Sequence, residues 1–237
     1  MSDTPGPAPD AETPDWAQET EDRILDHARA LAPELGWTAV LARRAGAAAG
    51  LSGPETELLL PNGAQDLAAL LSRRHDAAAL ARLASADPAA LKIRDRIAAG
   101  VQARVEAAAA DEAAVRRCLG FLALPQNLPL AGRLTWATAD ILWRWAGDTA
   151  TDENHYSKRA ILSGLLASTM AVRLSGGEAE ARAHLERGIE AVMQFEKAKA
   201  RFARSDWAAD LATRLGRLRY GAERPARTPE GRASPHA

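Results

Sequence analysis

The chain has 237 residues, enough for one large domain or two small ones with a substantial buried core. Its 30 Lys and Arg nearly balance 31 Asp and Glu. The formal net charge of -1 argues against nucleic-acid binding through an overall positive charge. A lone cysteine, Cys118, excludes an intramolecular disulfide bond and suits a reducing compartment.

Residues 1–15 are rich in Pro and acidic side chains, which predicts a disordered leader. Residues 1–22 carry seven acidic residues and no basic one. Signal peptides begin with basic residues and transit peptides are rich in Arg, so we expect a bacterial-type chain without a transit peptide, in the cytoplasm. No window is expected to span a bilayer, so any membrane contact should be peripheral, on the inner membrane face.

Residues 16–72 carry the pattern of three short helices. Apolar residues at helical spacing over 24–35 predict the first, which Gly36 ends. The second is predicted from about Thr38 to Ala45, and the third opens near Ser52.

This front end resembles the helix-turn-helix domain of TetR-type regulators. The resemblance rests on Ile24-Leu25-Asp26, Gly36-Trp37, Leu41-Ala42-Arg43-Arg44-Ala45-Gly46 and Gly50-Leu51-Ser52. A DNA reader needs donors for phosphates and base edges on its last helix. From Ala45 to Ser72 there is no Lys or Arg, and Glu55 and Glu57 would repel phosphate. We therefore predict a vestigial helix-turn-helix that acts as scaffold and binds no nucleic acid.

The remaining chain shows only helical patterns, which predicts an all-α, TetR-like fold of about nine to ten helices. Pro61-Asn62-Gly63 predicts a turn, and Asp87 with Pro88 predicts a helix N-terminus. Residues 73–200 are expected to form a ligand-binding helical domain, and residues 221–237 a disordered tail. The further helices are predicted near residues 64–85, 88–109, 111–123, 130–147, 153–174, 179–199 and 205–220.

The helix around residues 134–145 is unusually rich in Trp, with three of the six in the chain. Positions three, four and seven apart share a helix face, so two apolar stripes result. Those stripes are Leu134, Thr138, Ile141 and Trp145, and Trp136, Asp140, Trp143 and Gly147. One stripe is expected to pack inward while the other meets a ligand or partner. A helix buried on all sides is the alternative.

Asp140 lies between two Trp on one face, where a carboxylate must be paired or solvated. Arg144, at i+4, is its simplest partner, and a docking role is the alternative. The turn that follows holds three good N-cap residues, Thr149, Thr151 and Asp152. One of them should cap the next helix, which leaves the others for binding.

The next helix contains an uncharged run from Ala160 to Val172. Its small residues form a stripe that permits either close helix contact or an open channel, and both possibilities stay open. Filling such a channel with a long apolar tail would contribute roughly 25 cal/mol per Å². The small residues are Ala160, Gly164, Ala167 and Ala171, and the larger ones are Ile161, Leu165, Leu166 and Met170.

Residues 201–220 have the pattern of an amphipathic helix at a membrane interface. Between Lys197 and Tyr220 there are seven Lys or Arg against two Asp. Basic residues near an anionic surface contribute about 1 kcal/mol each. A helix packed on the domain is the alternative. The residues expected at the membrane are Arg201, Arg204, Trp207, Leu211, Arg214, Leu215, Arg217 and Leu218.

A longer motif run is similar to the Coq-nine family of ubiquinone-biosynthesis proteins. It comprises Leu124-Pro125-Gln126-Asn127-Leu128-Pro129, Asp140, Trp145-Ala146-Gly147-Asp148, Thr151-Asp152, Asn154, Tyr156 and Lys158-Arg159-Ala160. The resemblance implies a TetR-like homodimer that does not read DNA. It also implies a noncatalytic accessory protein that binds an isoprenoid lipid or quinone intermediate and presents it to the demethoxyubiquinone hydroxylase.

Two sets of residues follow for these roles. The residues expected to bind lipid are Leu122, Leu124, Leu128, Leu134, Ile141, Leu142, Trp145, Ile161, Leu165, Leu166 and Met170. The residues expected to contact the hydroxylase are Trp136, Asp140, Trp143, Arg144, Asp148, Asp152, Asn154 and Tyr156. Glu153 and His155 stand where the family commonly has aromatic residues, which makes the expected contact less apolar.

Two other function classes fit the sequence less well. A ligand-responsive transcriptional repressor would use the same cavity to sense a small molecule. An enzyme is disfavoured because the sequence holds no Gly-rich phosphate loop and no nucleophile with a plausible base. His155 has no second ligand at useful spacing, so neither a metal nor a cofactor is expected.

Overall fold

The computed structural model describes residues 16–148 and 153–203, with side chains for 16–148 and 155–194. All regular structure in these residues is helical, so the all-α prediction is confirmed. Two 3-10 turns, Pro88–Ala90 and Pro125–Asn127, accompany the helices. The helices are α1 Trp16–Leu35, α2 Ala39–Ala48, α3 Gly53–Leu59, α4 Ala64–Leu83, α5 Ile93–Ala109, α6 Glu112–Leu122, α7 Leu128–Trp145 and α8 Glu153–Ala203.

The ends of the first three helices follow the capping chemistry of the sequence. Gly36, at φ 68, ends α1 in the left-handed conformation that Gly adopts at least cost. Thr38 accepts from Leu41 N at the start of α2. Ser52 and Glu55 form a reciprocal capping box at the start of α3.

The helix predicted over residues 88–109 is interrupted. Asp87 caps only the 3-10 turn Pro88–Ala90, by accepting from Ala89 N. Leu91 and Lys92 are extended, and Arg96 Nε donates to Leu91 O at 2.9 Å. Because a side chain satisfies that carbonyl, the chain turns there and α5 begins at Ile93.

α8 consists of two arms that meet at Gly177, which has φ 87 and ψ -173. His184 Nε2 and Ser168 Oγ lie 3.0 Å apart across the arms. Gly188 leaves room for Leu165, because an added Cβ would overlap that side chain. The arms therefore pack against each other, in agreement with separate helices predicted over 153–174 and 179–199.

The helices of the front end and the longer helices share one hydrophobic core. α1 packs on α2, α4 packs on α5, and α4 also contacts α7. Fully buried side chains include Ile24, Leu41, Leu67, Val101 and Leu162. The chain divides into two compact units, one ending at Ile189 and the other beginning at Glu190. Within the second unit, α8 continues helically to Ala203.

The expectation that no stretch could span a bilayer is wrong by length and composition. His155–Gln194 contains a window apolar enough to qualify, and only 22% of that window is buried in the protein. Most residues of that window therefore keep contact with solvent, although its large apolar residues Leu162, Leu166 and Met170 are buried. The predicted leader, the predicted tail and the amphipathic helix beyond residue 203 lie outside the described residues, as do Thr149, Thr151 and Asp152.

Candidate functional site

Helices α4, α5, α6, α7 and the first arm of α8 line a mostly apolar cavity of about 180 Å³. Four residues predicted to bind lipid line it, namely Leu122, Leu134, Leu166 and Met170. They come from three different helices. The structure thus gathers part of the predicted set around one space.

The other predicted lipid-binding residues do not line this cavity. Leu142 is buried in the core, where it packs against Gly100. Ile141, Trp145 and Leu165 are half-buried. Leu124, Leu128 and Ile161 are exposed. Lipid contact by these residues stays a prediction for surfaces outside the cavity.

The opposite wall of the cavity was not predicted from the sequence. Ser72 and His75 of α4, Arg104 of α5, and Cys118 and Leu119 of α6 all line the cavity. Their spacing is that of ordinary helix faces, and only the packing of α4 and α5 on α7 brings them together. A polar pair at i and i+3 on α4 was the one available signal.

The polar part of this wall is a connected network. Arg104 Nε donates to Asp76 Oδ1 at 2.6 Å, and Thr138 Oγ1 donates to the same oxygen at 2.8 Å. Arg104 Nη2 lies 3.4 Å from Ser72 Oγ. Asp76 and Thr138 are buried, so the carboxylate is satisfied inside the protein as burial requires.

His75 forms a second polar pair with Asp111, at 2.9 Å from Nε2 to Oδ2. Burial, with a smaller contribution from the positive charge of Arg104, lowers the pKa of His75 from 6.5 to about 4, although Asp111 opposes the shift. The pKa of Asp111 is lowered, because the hydrogen bonds from Arg29 and His75 outweigh its desolvation. At neutral pH His75 is therefore neutral and donates from Nε2 to the carboxylate, which leaves Nδ1 as an acceptor.

Cys118 offers no nucleophile to the cavity. Burial raises the pKa of its thiol to about 12, and the nearby Arg104 charge only partly opposes this. The thiolate is the reactive form, so this cysteine acts as a small apolar side chain. Within the described residues, no group of three or more His, Cys, Asp or Glu is arranged to hold a metal ion.

The core face of α7 differs from both predicted stripes. Its buried residues are Leu130, Thr138, Ala139 and Leu142. Trp136, Trp143 and Trp145 are all half-buried, flanking this face. Small residues at the centre permit close approach of α4 and α5, so the large indoles are displaced to the sides. Of the first predicted stripe, Thr138 is buried and Leu134 lines the cavity, whereas Ile141 and Trp145 are only half-buried. Burial on all sides is wrong, because Ala137 is exposed.

Asp140 has the predicted partner and a second one. Arg144 Nε lies 2.8 Å from its Oδ2, as i+4 spacing predicts. Arg159 Nε donates to its Oδ1 at 2.6 Å and also pairs with Asp148 at 3.3 Å. Arg159 is only 2% exposed, whereas Lys158 binds Asp148 from the outer side at 2.7 Å. These charges tie α7 to α8.

Aromatic residues of the predicted docking set lie near this network. Trp136 and Tyr156 have ring centroids 6.2 Å apart, and His155 meets Tyr156 edge-on. Trp143 Nε1 donates to Lys158 O at 3.1 Å, and the Lys158 ammonium lies over its ring. Tyr156 is the exposed member. For Asn154 only the backbone is described.

On α3, the third helix of the front end, the Glu55 carboxylate caps the start of its own helix. Glu55 accepts from Ser52 N at 2.8 Å, and hydrogen bonds from Ser52 lower its pKa. Glu55 is thus ionised as a helix cap at the surface where a DNA reader would need donors. This arrangement agrees with the expected scaffold role.

The segment with these contacts also carries the decisive sequence match. A sequence model of the COQ9 family, described simply as COQ9, matches residues 128–196. This part of the chain is therefore similar to the COQ9 family. The Coq-nine resemblance inferred from the motif run is confirmed.

Individual COQ9 proteins match a longer stretch. The chain is 33% identical over 170 residues to "Ubiquinone biosynthesis protein COQ9-B, mitochondrial" of Xenopus laevis, which covers 66% of this chain and 56% of that protein. It is 29% identical over 167 residues to "Ubiquinone biosynthesis protein COQ9, mitochondrial" of Xenopus tropicalis, with 66% and 51% covered. The chain spans about half the length of the curated relatives it matches.

Proposed function

We propose that this protein is a noncatalytic accessory protein of ubiquinone biosynthesis. It binds an isoprenoid quinone intermediate and presents it to the demethoxyubiquinone hydroxylase at the inner face of a membrane. The similarity to proteins named for ubiquinone biosynthesis supports the pathway. The apolar cavity among α4 to α8 is the observation that carries the lipid-binding role.

The size of the cavity limits how much lipid it encloses. Its 180 Å³ is below the roughly 300 to 1,000 Å³ of pockets that bury a drug-sized ligand. It slightly exceeds an engineered apolar cavity of about 150 Å³ that binds benzene. One end of a long lipid fits, so the rest must lie on apolar surface. Leu124, Leu128 and Ile161 are exposed and available for that contact.

The surface around Tyr156 supports docking of the hydroxylase. Tyr156 is exposed, Trp136 lies beside it, and ion pairs from Arg159 to Asp140 and Asp148 hold the two helices beneath. A rigid aromatic surface loses little conformational entropy on binding. Asp140 and Asp148 support this surface indirectly, because their ion pairs with Arg159 fix the position of α8 on α7.

Membrane contact and self-association complete the proposal. The apolar composition of His155–Gln194, with Tyr156 and Ile161 exposed, and the basic amphipathic pattern of 201–220 support attachment to a membrane surface. Ala160, Gly164, Ala167 and Ala171 are exposed along one side of α8, and a Cβ added at Gly164 would meet nothing. That small-residue stripe supports close approach by a second copy in a homodimer.

A reconstituted turnover assay tests the function. The hydroxylase is supplied with vesicles that contain demethoxyubiquinone, with and without this protein. We expect the wild-type protein to raise turnover, and Tyr156→Ala to reduce the stimulation several-fold at an unchanged melting temperature. Trp16→Ala is the matched control, because Trp16 on α1 is equally exposed at 65%. An absent stimulation, or an equal loss in both variants, would contradict the proposal.

A further inference from the structure

We propose that the cavity receives the neutral, hydroxyl-bearing aromatic ring of its ligand, with the hydroxyl hydrogen-bonded to His75 Nδ1. The apolar tail then lies outside the cavity. This inference rests on the proposed function only for the expectation that the natural ligand is a ring joined to an isoprenoid tail. The ring site itself follows from the polar wall of the cavity.

The acceptor comes from the His75–Asp111 pair. Nε2 is committed to Asp111 at 2.9 Å, and His75 lines the cavity. Among the described residues no hydrogen bond reaches Nδ1. Covering an acceptor with a ligand that supplies no donor costs about 1 to 3 kcal/mol, so a ligand hydroxyl that donates to Nδ1 is favoured over an apolar group. A tail of methylene and methyl groups cannot donate a hydrogen bond to this nitrogen.

Charge balance excludes an anionic headgroup. Arg104 is the cation that lines the cavity, and Asp76 already neutralises it at 2.6 Å. Arg29 likewise pairs with Asp111 behind His75. A carboxylate or phosphate would therefore be desolvated without a cation left to compensate it. A neutral hydroxyl loses far less hydration and finds partners at His75 and at the Ser72 hydroxyl, which also lines the cavity.

The dimensions agree with a single substituted ring. A cavity of about 180 Å³ is somewhat larger than one of about 150 Å³ that holds benzene. The ring would lie against Leu71, Val105 and Leu134, while the polar groups of α4 and α5 meet its oxygen. Aromatic size and a neutral hydroxyl are thus the two features that this wall selects.

Binding of phenol, toluene and benzoate to the full chain tests the inference. The three probes have nearly the same size and differ in a hydroxyl, a methyl and a carboxylate group. Titrations would follow the imidazole nitrogens of ¹⁵N-histidine-labelled protein at pH 7. We expect phenol to bind about tenfold more tightly than toluene and to shift the Nδ1 signal of His75. Benzoate should bind more weakly than phenol. Equal affinity for phenol and toluene, tighter binding of benzoate, or no binding of phenol would overturn the inference.

A variant pair localises the effect. In His75→Gln the amide nitrogen can still donate to Asp111, but nothing replaces the Nδ1 acceptor. Phenol affinity should fall about tenfold while toluene affinity stays unchanged. His184→Gln is the matched control, since His184 contacts Ser168 between the arms of α8 and does not line the cavity. Unchanged phenol affinity in His75→Gln would overturn the inference. The wild-type titration decides the matter if His75→Gln does not fold.

The ring site and the proposed function fail in different ways. Analysis of the lipids extracted from the same protein preparation distinguishes failure of the ring site from failure of the proposed function. A protein that retains polyprenyl lipid but does not bind phenol contradicts the ring site alone. A protein that binds phenol at His75 but carries no polyprenyl lipid supports the ring site and contradicts lipid presentation.

Discussion

Arg159 is the side chain that most directly links the charged residues of α7 and α8. It pairs with Asp140 and Asp148 while being only 2% exposed. Removing one partner of a buried ion pair leaves the other charge uncompensated, which costs more than the pair contributes when intact. The stability of the junction therefore depends on this guanidinium.

Arg159→Met should lower the free energy of unfolding by about 3 kcal/mol, measured by urea denaturation. Arg144→Ala is the matched control, because Arg144 binds the same carboxylate but is 74% exposed. Its loss should cost less than about 1 kcal/mol. Equal losses of stability in the two variants would contradict the idea that the buried guanidinium of Arg159 matters more than the exposed one of Arg144.

His75 makes stability depend on pH. The folded protein holds its pKa at about 4 against 6.5 for the ordinary group, mainly by burial. Between these values the unfolded chain binds the extra proton, so the free energy of unfolding falls as the pH falls. The loss over this window should reach roughly 3 kcal/mol. Urea titrations at pH 7 and 4.5 should show a smaller difference in His75→Gln than in the wild-type protein. An unchanged difference would assign the acid sensitivity to other groups.

At this scale the sequence predicted local partners and missed distant ones. The Asp140–Arg144 pair follows from helical spacing alone. The Asp140–Arg159 pair spans a turn and a second helix, and two cations lie side by side at Lys158 and Arg159. Only the orientation of α8 decides which of them turns inward.

Arginine side chains hold carbonyl oxygens at the C-terminal ends of several helices. Arg96 Nη1 donates to Ala146 O at 2.7 Å after α7, and Arg117 Nη2 donates to Pro33 O at 2.9 Å in the last turn of α1. Arg116 contacts Leu174 O near the end of the first arm of α8. The last four carbonyls of a helix lack intrahelical partners, so each contact both satisfies an acceptor and places positive charge at the negative helix end.

The crossing of α2 and α3 depends on a glycine. A Cβ at Gly46 would overlap the side chain of Thr56. Gly46→Ala should therefore lower stability by about 1 to 3 kcal/mol, as overpacking does. Gly120→Ala on α6 is the matched control, because nothing lies within 4 Å of the added carbon and helix propensity should raise stability by up to about 1 kcal/mol. Thermal denaturation measures both, and a destabilised Gly120→Ala with an unaffected Gly46→Ala would contradict the packing.

The helices themselves were largely predictable, because apolar periodicity, Gly and Pro mark their limits. Gly36 ends α1 as expected, and the break predicted between residues 174 and 179 lies at Gly177. The break at Leu91 and Lys92 was not predictable, since it depends on Arg96 reaching back to Leu91 O. The core face of α7 was missed for a related reason. Periodicity shows where large apolar residues repeat, whereas α4 and α5 approach the small ones, Thr138 and Ala139.

At the scale of the whole molecule, the all-α fold and the similarity to the COQ9 family could be predicted from the sequence, but the cavity could be predicted only in part. Its α7 and α8 walls were predicted through Leu134, Leu166 and Met170. The α4 and α5 walls, with His75 and Arg104, arise from packing between helices distant in sequence. The central claim is that this cavity binds one end of an isoprenoid lipid.

Mass spectrometry of lipids extracted from the purified protein tests that claim most directly. Wild-type protein should carry a polyprenyl quinone or its precursor. Ala131→Phe fills the cavity from α7 and should carry several-fold less, whereas Ala137→Phe places the same ring on an exposed position of the same helix and should match the wild type. An empty wild-type protein, or equal lipid in both variants, would contradict lipid binding in this cavity.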